Sequence, residues 1–123
     1  MAANKLIRFG PAALSNAAAN IVNTNVTSLA GPVGFTMTQP YVIIRHIRLV
    51  NKTGAAATAS LYIGATAGSA AGTEFLGTAL SIPANSYVDF YGATRLDAAD
   101  FLTGLASAAA TITFEAEGEI GLV

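Results

Sequence analysis

The chain contains no cysteine, which excludes disulfides, thiolate catalysis and cysteine-ligated zinc. It contains no tryptophan, which weakens the case for a sugar-stacking lectin site. Charge is also scarce. Only 11% of residues are charged, where about a quarter is usual for a soluble chain. Solubility normally leans on surface charge, so the scarcity implies that other chains cover much of this surface. The net charge of −1 supplies no basic patch for neutralising phosphates, so no nucleic-acid partner is expected. Long apolar runs are missing too. Tyr41–Ile44 and Leu105–Ala110 fall far short of the roughly 18 residues that a membrane span needs, so no membrane partner is expected. Behind Lys5 and Arg8 no signal core follows, because Gly10, Pro11, Asn16 and Asn20 interrupt it. The chain reads as one made in the cytoplasm and not exported by the general route.

What is present is apolar. Hydrophobic types make up 53% of the 123 residues, enough for one domain with a real core and too much for a disordered chain. The few charges are sorted along the sequence. Lys5, Arg8, Arg45, Arg48 and Lys52 all precede residue 53, and every acid follows it, with Arg95 alone among them. Either early and late strands pair within one fold, or oppositely charged faces meet between subunits.

Period-two patterning predicts strands. Tyr41–Asn51 is the longest, dense in Ile and Val. Ala57–Ile63 alternates, Tyr87–Tyr91 sets Val88 and Phe90 against Tyr87, Asp89 and Tyr91, and Phe75–Leu80 is a weaker strand. Ile21–Leu29 and Phe35–Thr38 alternate in part. In Thr111–Glu117 the residues Ile112, Phe114 and Ala116 face one way and Glu115 and Glu117 the other, with Glu119 extending the polar row. Gly64–Gly72 reads as a flexible loop. The 26 alanines lack a helical period, and only Leu96–Leu105 suggests a helical turn, capped by Asp97. The expected fold is therefore all-β: an antiparallel, jelly-roll-like sandwich of about eight strands over residues 21–123. Residues 1–20 read as an extended N-terminal arm that gains order by pairing, and whose removal leaves the sandwich folded. The expected core is Ile47, Leu49, Leu61, Ile63, Val88, Phe90, Ile112 and Phe114.

No catalytic constellation emerges. Glu115, Glu117 and Glu119 could offer an acid/base pair, but such pairs work in clefts from different strands, and this regular stripe reads as a solvated or salt-bridged face. Asp97 and Asp100 are too few for calcium and read as turn caps. His46 has neither metal ligands at useful sequence spacing nor a serine elbow, so it reads as a residue on a strand face. Gly64–Gly72 lacks a phosphate-loop ending. The sequons at Asn25 and Asn51 read as chance matches. No enzyme activity, metal or cofactor is expected. In Tyr41–Asn51, inward Ile47 and Leu49 would bring Arg45 to the same face, so Arg45 must sit at a bulge, at the rim, or under a neighbouring chain.

The stretches Ile44-Arg45-His46-Ile47-Arg48-Leu49-Val50-Asn51, Leu61-Tyr62-Ile63-Gly64-Ala65, Ile82-Pro83-Ala84-Asn85-Ser86, Tyr91-Gly92, Arg95-Leu96-Asp97-Ala98-Ala99-Asp100 and Gly118-Glu119-Ile120 resemble small β-sandwich structural proteins of tailed bacteriophages. The resemblance covers residues 20–123 and is weaker before them. It implies a virion component on the capsid surface: a decoration (cement) protein bound to the major capsid protein, self-associated as a homo-oligomer such as a trimer. A tail or head-fibre component and a small carbohydrate- or receptor-binding module are the alternatives. Candidate partner contacts are Lys5, Arg8 and Phe9 in the arm, the bases Arg45 and Arg48, and the acids Glu115, Glu117 and Glu119.

Overall fold

Alternating apolar residues, frequent β-branched side chains and Gly/Pro/Asn punctuation leave this chain little choice but to pair strands. A computed structural model describes residues 5–23, 40–65, 67–76, 78–97 and 100–122. It contains β1 (Lys5–Ala13), β2 (Ala19–Asn23), β3 (Pro40–Asn51), β4 (Ala57–Gly64), β5 (Leu80–Ile82), β6 (Ser86–Leu96), β7 (Phe101–Ala106) and β8 (Ile112–Leu122). The strands form two four-stranded antiparallel sheets. Sheet A runs β1-β8-β3-β6, and sheet B runs β2-β7-β4-β5. This is jelly-roll order, in which an early ribbon folds against a late one. Every pairing joins a strand from β1–β4 to one from β5–β8. Among the described residues no helix is long and apolar enough to cross a membrane.

The inner faces of the two sheets meet over Phe9, Ile44, Ile47, Leu49, Leu61, Leu102, Ile112 and Phe114, all buried. Five of the eight expected core residues are fully buried. Ile63, Val88 and Phe90 are half-buried against the same cluster, and Phe90 meets Phe75 edge-to-face at 5.2 Å.

Three expectations change. Over its described residues the expected arm is the first strand of the sandwich: β1 pairs with β8 from Lys5↔Ile120 to Ala13↔Thr113. Phe9, expected to reach a partner, is 1% exposed in the chain's own core. Its apolar bulk is worth more against Phe114 and the rest of that cluster than on a surface. The expected boundary between residues 20 and 21 falls inside β2. In Leu96–Leu105, where a helical turn is expected, β6 ends at Leu96 and β7 begins at Phe101. Asp97 and Asp100 close a tight turn, with the Asp100 N–H donating to the Asp97 carbonyl at 2.9 Å and the Asp97 N–H to Asp100 Oδ2 at 3.0 Å. β7 then buries Leu102, Gly104 and Ala106 on its inner side, and that burial overrides helix propensity. Of the weak strand expected at Phe75–Leu80 only Leu80 lies in a strand, β5, which continues to Ile82, and Glu74 makes a single bridge to Tyr62. Strand expectations at 24–29 and 35–38 lie outside the described residues.

The two outer faces differ. On sheet B the outward-pointing Ser60, Tyr62 and Thr103 are buried, because the β4–β5 loop folds back over them. Thr103 Oγ1 donates to the Gly68 carbonyl at 2.5 Å, and the Ala79 N–H donates to Ser60 Oγ at 2.8 Å. The stretch read as a flexible loop is thus a cover. Asn51 is buried at the end of β3 and uses its whole amide. Nδ2 donates to the carbonyls of Ala55, Ile82 and Pro83, and Oδ1 accepts from Thr53. It is a turn organiser, not an accessible sequon.

Two outcomes follow for denaturant unfolding. Phe9→Ala and Phe114→Ala are each expected to cost about 3–5 kcal/mol, since both rings are fully buried. An unchanged midpoint for Phe9→Ala would return residues 5–13 to the status of a detachable arm. Gly118→Ala is expected to cost at least about 1–3 kcal/mol, because a Cβ there runs into the Ile43 carbonyl oxygen, a backbone atom that cannot rotate aside.

Candidate functional site

With one face of the sandwich covered, the open face is the outer side of sheet A. Its residues arrive there by strand alternation with one exception. β3 carries a bulge: Ile44 pairs with Gly118 and His46 with Glu117, leaving Arg45 as an extra residue. The bulge is one of the solutions expected from the spacing of Arg45, Ile47 and Leu49. Ile44 and Ile47 both stay inside, and Arg45 and His46 both turn outward. Gly118 makes room for the bulge's backbone.

Ladder register then sets three rows across the face. One runs Leu6, Glu119, Ile43, Arg95; the next Arg8, Glu117, His46, Tyr91; the third Glu115, Arg48, Asp89. Bases from the early strands meet acids from the late ones. Arg45 Nη2 lies 2.6 Å from Glu119 Oε2. Arg48 grips Asp89 with two hydrogen bonds, Nε to Oδ1 at 2.7 Å and Nη2 to Oδ2 at 3.1 Å. His46 Nε2 lies 2.8 Å from the same Oδ1, and its Nδ1 lies 3.6 Å from Glu117 Oε1. Aromatic rings cover the charges. Tyr91 stacks on His46 at 4.6 Å, Arg48 lies over Tyr87 at 4.3 Å, and Arg95 lies over Tyr41 at 4.4 Å. The charge sorting therefore resolves inside one chain, in one sheet. Lys52 joins no ion pair among the described residues.

Most of the residues proposed for partner contact come together here: Arg8, Arg45, Arg48, Glu115, Glu117 and Glu119. Lys5 sits in β1 opposite Ile120, and Phe9 is in the core. Sequence reasoning missed the contribution of Leu6, Tyr87 and Tyr91, which are the exposed large hydrophobics, at 88%, 53% and 70%. The alternation of Tyr87, Asp89 and Tyr91 marks a wet strand face, but nothing in the sequence says that β6 lies beside β3. A shallow depression of about 660 Å³ is lined by Leu6, Arg8, Arg45, His46, Tyr91 and Glu117, among others. The face also brings together what sequence spacing does not: the ligand atoms of His46, Glu115 and Glu117 lie within 4.8 Å of one another, a set that could hold a metal ion.

Asp89 is the electrostatic pivot. Hydrogen bonds from Arg48, then from His46, hold its carboxyl down from 3.8 to about 2. The same pairing pushes the Arg48 guanidinium upward, so it stays charged throughout. A carboxyl with a depressed folded-state pKa stabilises the fold above its unfolded value and loses that contribution as pH falls through the folded value. The stability gap between the native chain and Asp89→Asn is therefore expected to hold above about pH 4 and to close toward about pH 2. Thermal melts of both proteins across that window check it, and a gap that widens on acidification would contradict the pairing. Set beside known proteins, the chain matches no family model, and no curated protein or solved structure matches it.

Proposed function

We propose that the protein is a structural component of a bacteriophage virion, a capsid decoration protein made in the host cytoplasm. It binds the assembled shell through the outer face of sheet A and strengthens contacts between capsid subunits. The observation that carries this reading is the character of that face. Its exposed large hydrophobics, Leu6, Tyr87 and Tyr91, stand among the ion pairs Arg45–Glu119 and Arg48–Asp89, whose charges already neutralise one another. Charges paired beforehand need no counter-charge from the partner, and aromatic and arginine side chains are favoured at protein interfaces. Support also comes from the stretches that resemble phage structural proteins, and from a jelly-roll with one face sealed by its own loop. The main partner is the major capsid protein, with neither nucleic acid nor membrane involved. Self-association, for instance as a trimer, multiplies weak contacts on a repeating lattice.

A second reading is a carbohydrate- or receptor-binding module, as part of a tail or head fibre. The exposed rings of Tyr87 and Tyr91 beside carboxylates favour it.

Copy number in purified particles separates the two readings: hundreds of copies mean shell, and a few mean tail or fibre. On isolated shells, Leu6→Asp and Tyr91→Ala are each expected to weaken binding by about tenfold or more with an unchanged melting temperature. Glu117→Lys is expected to impair assembly more than folding, and most at low salt. Shell binding untouched by all three variants would remove this face from the reading.

A further inference from the structure

We propose that His46, Glu115 and Glu117 form a site for a divalent transition-metal ion of the zinc type. The set offers one imidazole nitrogen and two carboxylate oxygens, all within 4.8 Å of one another. Imidazole with carboxylates suits zinc and its neighbours, whereas calcium and magnesium favour all-oxygen shells. The three residues come from adjacent strands, β3 and β8. The ladder fixes their backbones, with Glu117 directly opposite His46 and Glu115 two residues along the same strand.

A separate observation aims the imidazole at the carboxylates. His46 Nε2 faces Asp89 Oδ1 at 2.8 Å, and Arg48 grips both oxygens of that carboxylate. An anchored carboxylate accepts a proton donor, so Nε2 is the donor nitrogen, and a neutral ring held in this way presents the Nδ1 lone pair on its other side. Nδ1 is the nitrogen that faces Glu117 Oε1 at 3.6 Å. The ring is stacked on Tyr91, and its side chain is only 17% exposed, so it cannot swing away. Metal-bound histidines are held in this manner, with the far nitrogen donating to a carboxylate or carbonyl.

Charge points the same way. Arg45, Arg48 and Arg95 are taken by Glu119, Asp89 and Asp97. Among the described residues no ion pair ties Glu115 or Glu117 to an arginine or lysine, although Arg8 stands across the ladder from Glu117. Arg48, opposite Glu115 in the ladder, spends both of its hydrogen bonds on Asp89, and a dication bound between Glu115 and Glu117 would offset the repulsion between the two carboxylates. Metal–ligand bonds of about 2.0–2.2 Å require the three groups to close in slightly, and the exposed Glu117 side chain is free to do so. Three protein ligands leave a coordination position open toward solvent.

Calorimetric titration of the metal-stripped full chain with Zn²⁺ tests the site, with Co²⁺ absorption as a second readout. The isolated chain is used, so the result does not depend on any docking role. Saturation at one ion per chain is expected. His46→Gln and Glu117→Gln are each expected to weaken binding by about tenfold or more, and Asp89→Asn by about 10–100-fold. Glu74→Gln, on the loop over sheet B, is expected to bind as the native chain does. Circular dichroism without metal checks that each variant folds. If His46→Gln does not fold, the exposed Glu117→Gln decides alone. Absence of saturable binding, or binding unchanged in Glu117→Gln, overturns the site.

Discussion

Every hydrogen-bonded strand pairing in this protein joins the early half of the chain to the late half, and the remaining features rest on that constraint. Among the described residues no strand pairs with another from its own half. A sequence that places its bases early and its acids late is therefore laid out as cross-strand complementarity. Arg45 meets Glu119, Arg48 meets Asp89, and His46 lies between Asp89 and Glu117. Sorting charge by halves would leave a repulsive patch in a fold built from local hairpins. In a nested jelly-roll it keeps like charges from standing directly opposite one another.

The β3 bulge is where backbone geometry and charge meet. A regular strand would have turned Arg45 inward with Ile47, leaving a guanidinium in the core at a cost of several kcal/mol. One extra residue moves the arginine outward and keeps both Ile44 and Ile47 inside. Gly118 is the counterpart on β8, since no other residue leaves room for the Ile43 carbonyl. The placement of Arg45 and His46 thus depends on the β3 bulge and on one glycine that lets the strands close over it.

Much of this was legible before any coordinates. Period-two alternation located β3, β4, β6 and β8, and the spacing of Arg45, Ile47 and Leu49 left three solutions for Arg45, of which the bulge is the one found. What escaped were relations between strands distant in sequence. Nothing local says that Phe9 packs beside Phe114, so a short run broken by Gly10-Pro11 resembled an arm. The Gly64–Gly72 stretch has loop composition, yet Thr103 on β7 bonds Gly68 within it, and Ser60 on β4 bonds Ala79 further along the same loop, so the loop is held as a lid. His46 looked solitary because its neighbours Glu115 and Glu117 are about 70 residues away along the chain. Alternation tells which side a residue faces; only sheet order tells what it faces.

The nested pairing also dictates an order of events. β8 is an interior strand of sheet A, flanked by β1 and β3, yet it leaves the ribosome after the other seven described strands. Until it arrives, β1 has no neighbour in sheet A and β3 has only β6. The growing chain must carry Phe9, Ile44 and Ile47 without their final cover until β8 emerges. Contacts this distant in sequence make for slow folding and prolonged exposure of apolar strand edges. Early positive charge on β1 and β3 then acquires a second meaning: until the acids appear, nascent copies repel one another through the strands most prone to pair wrongly.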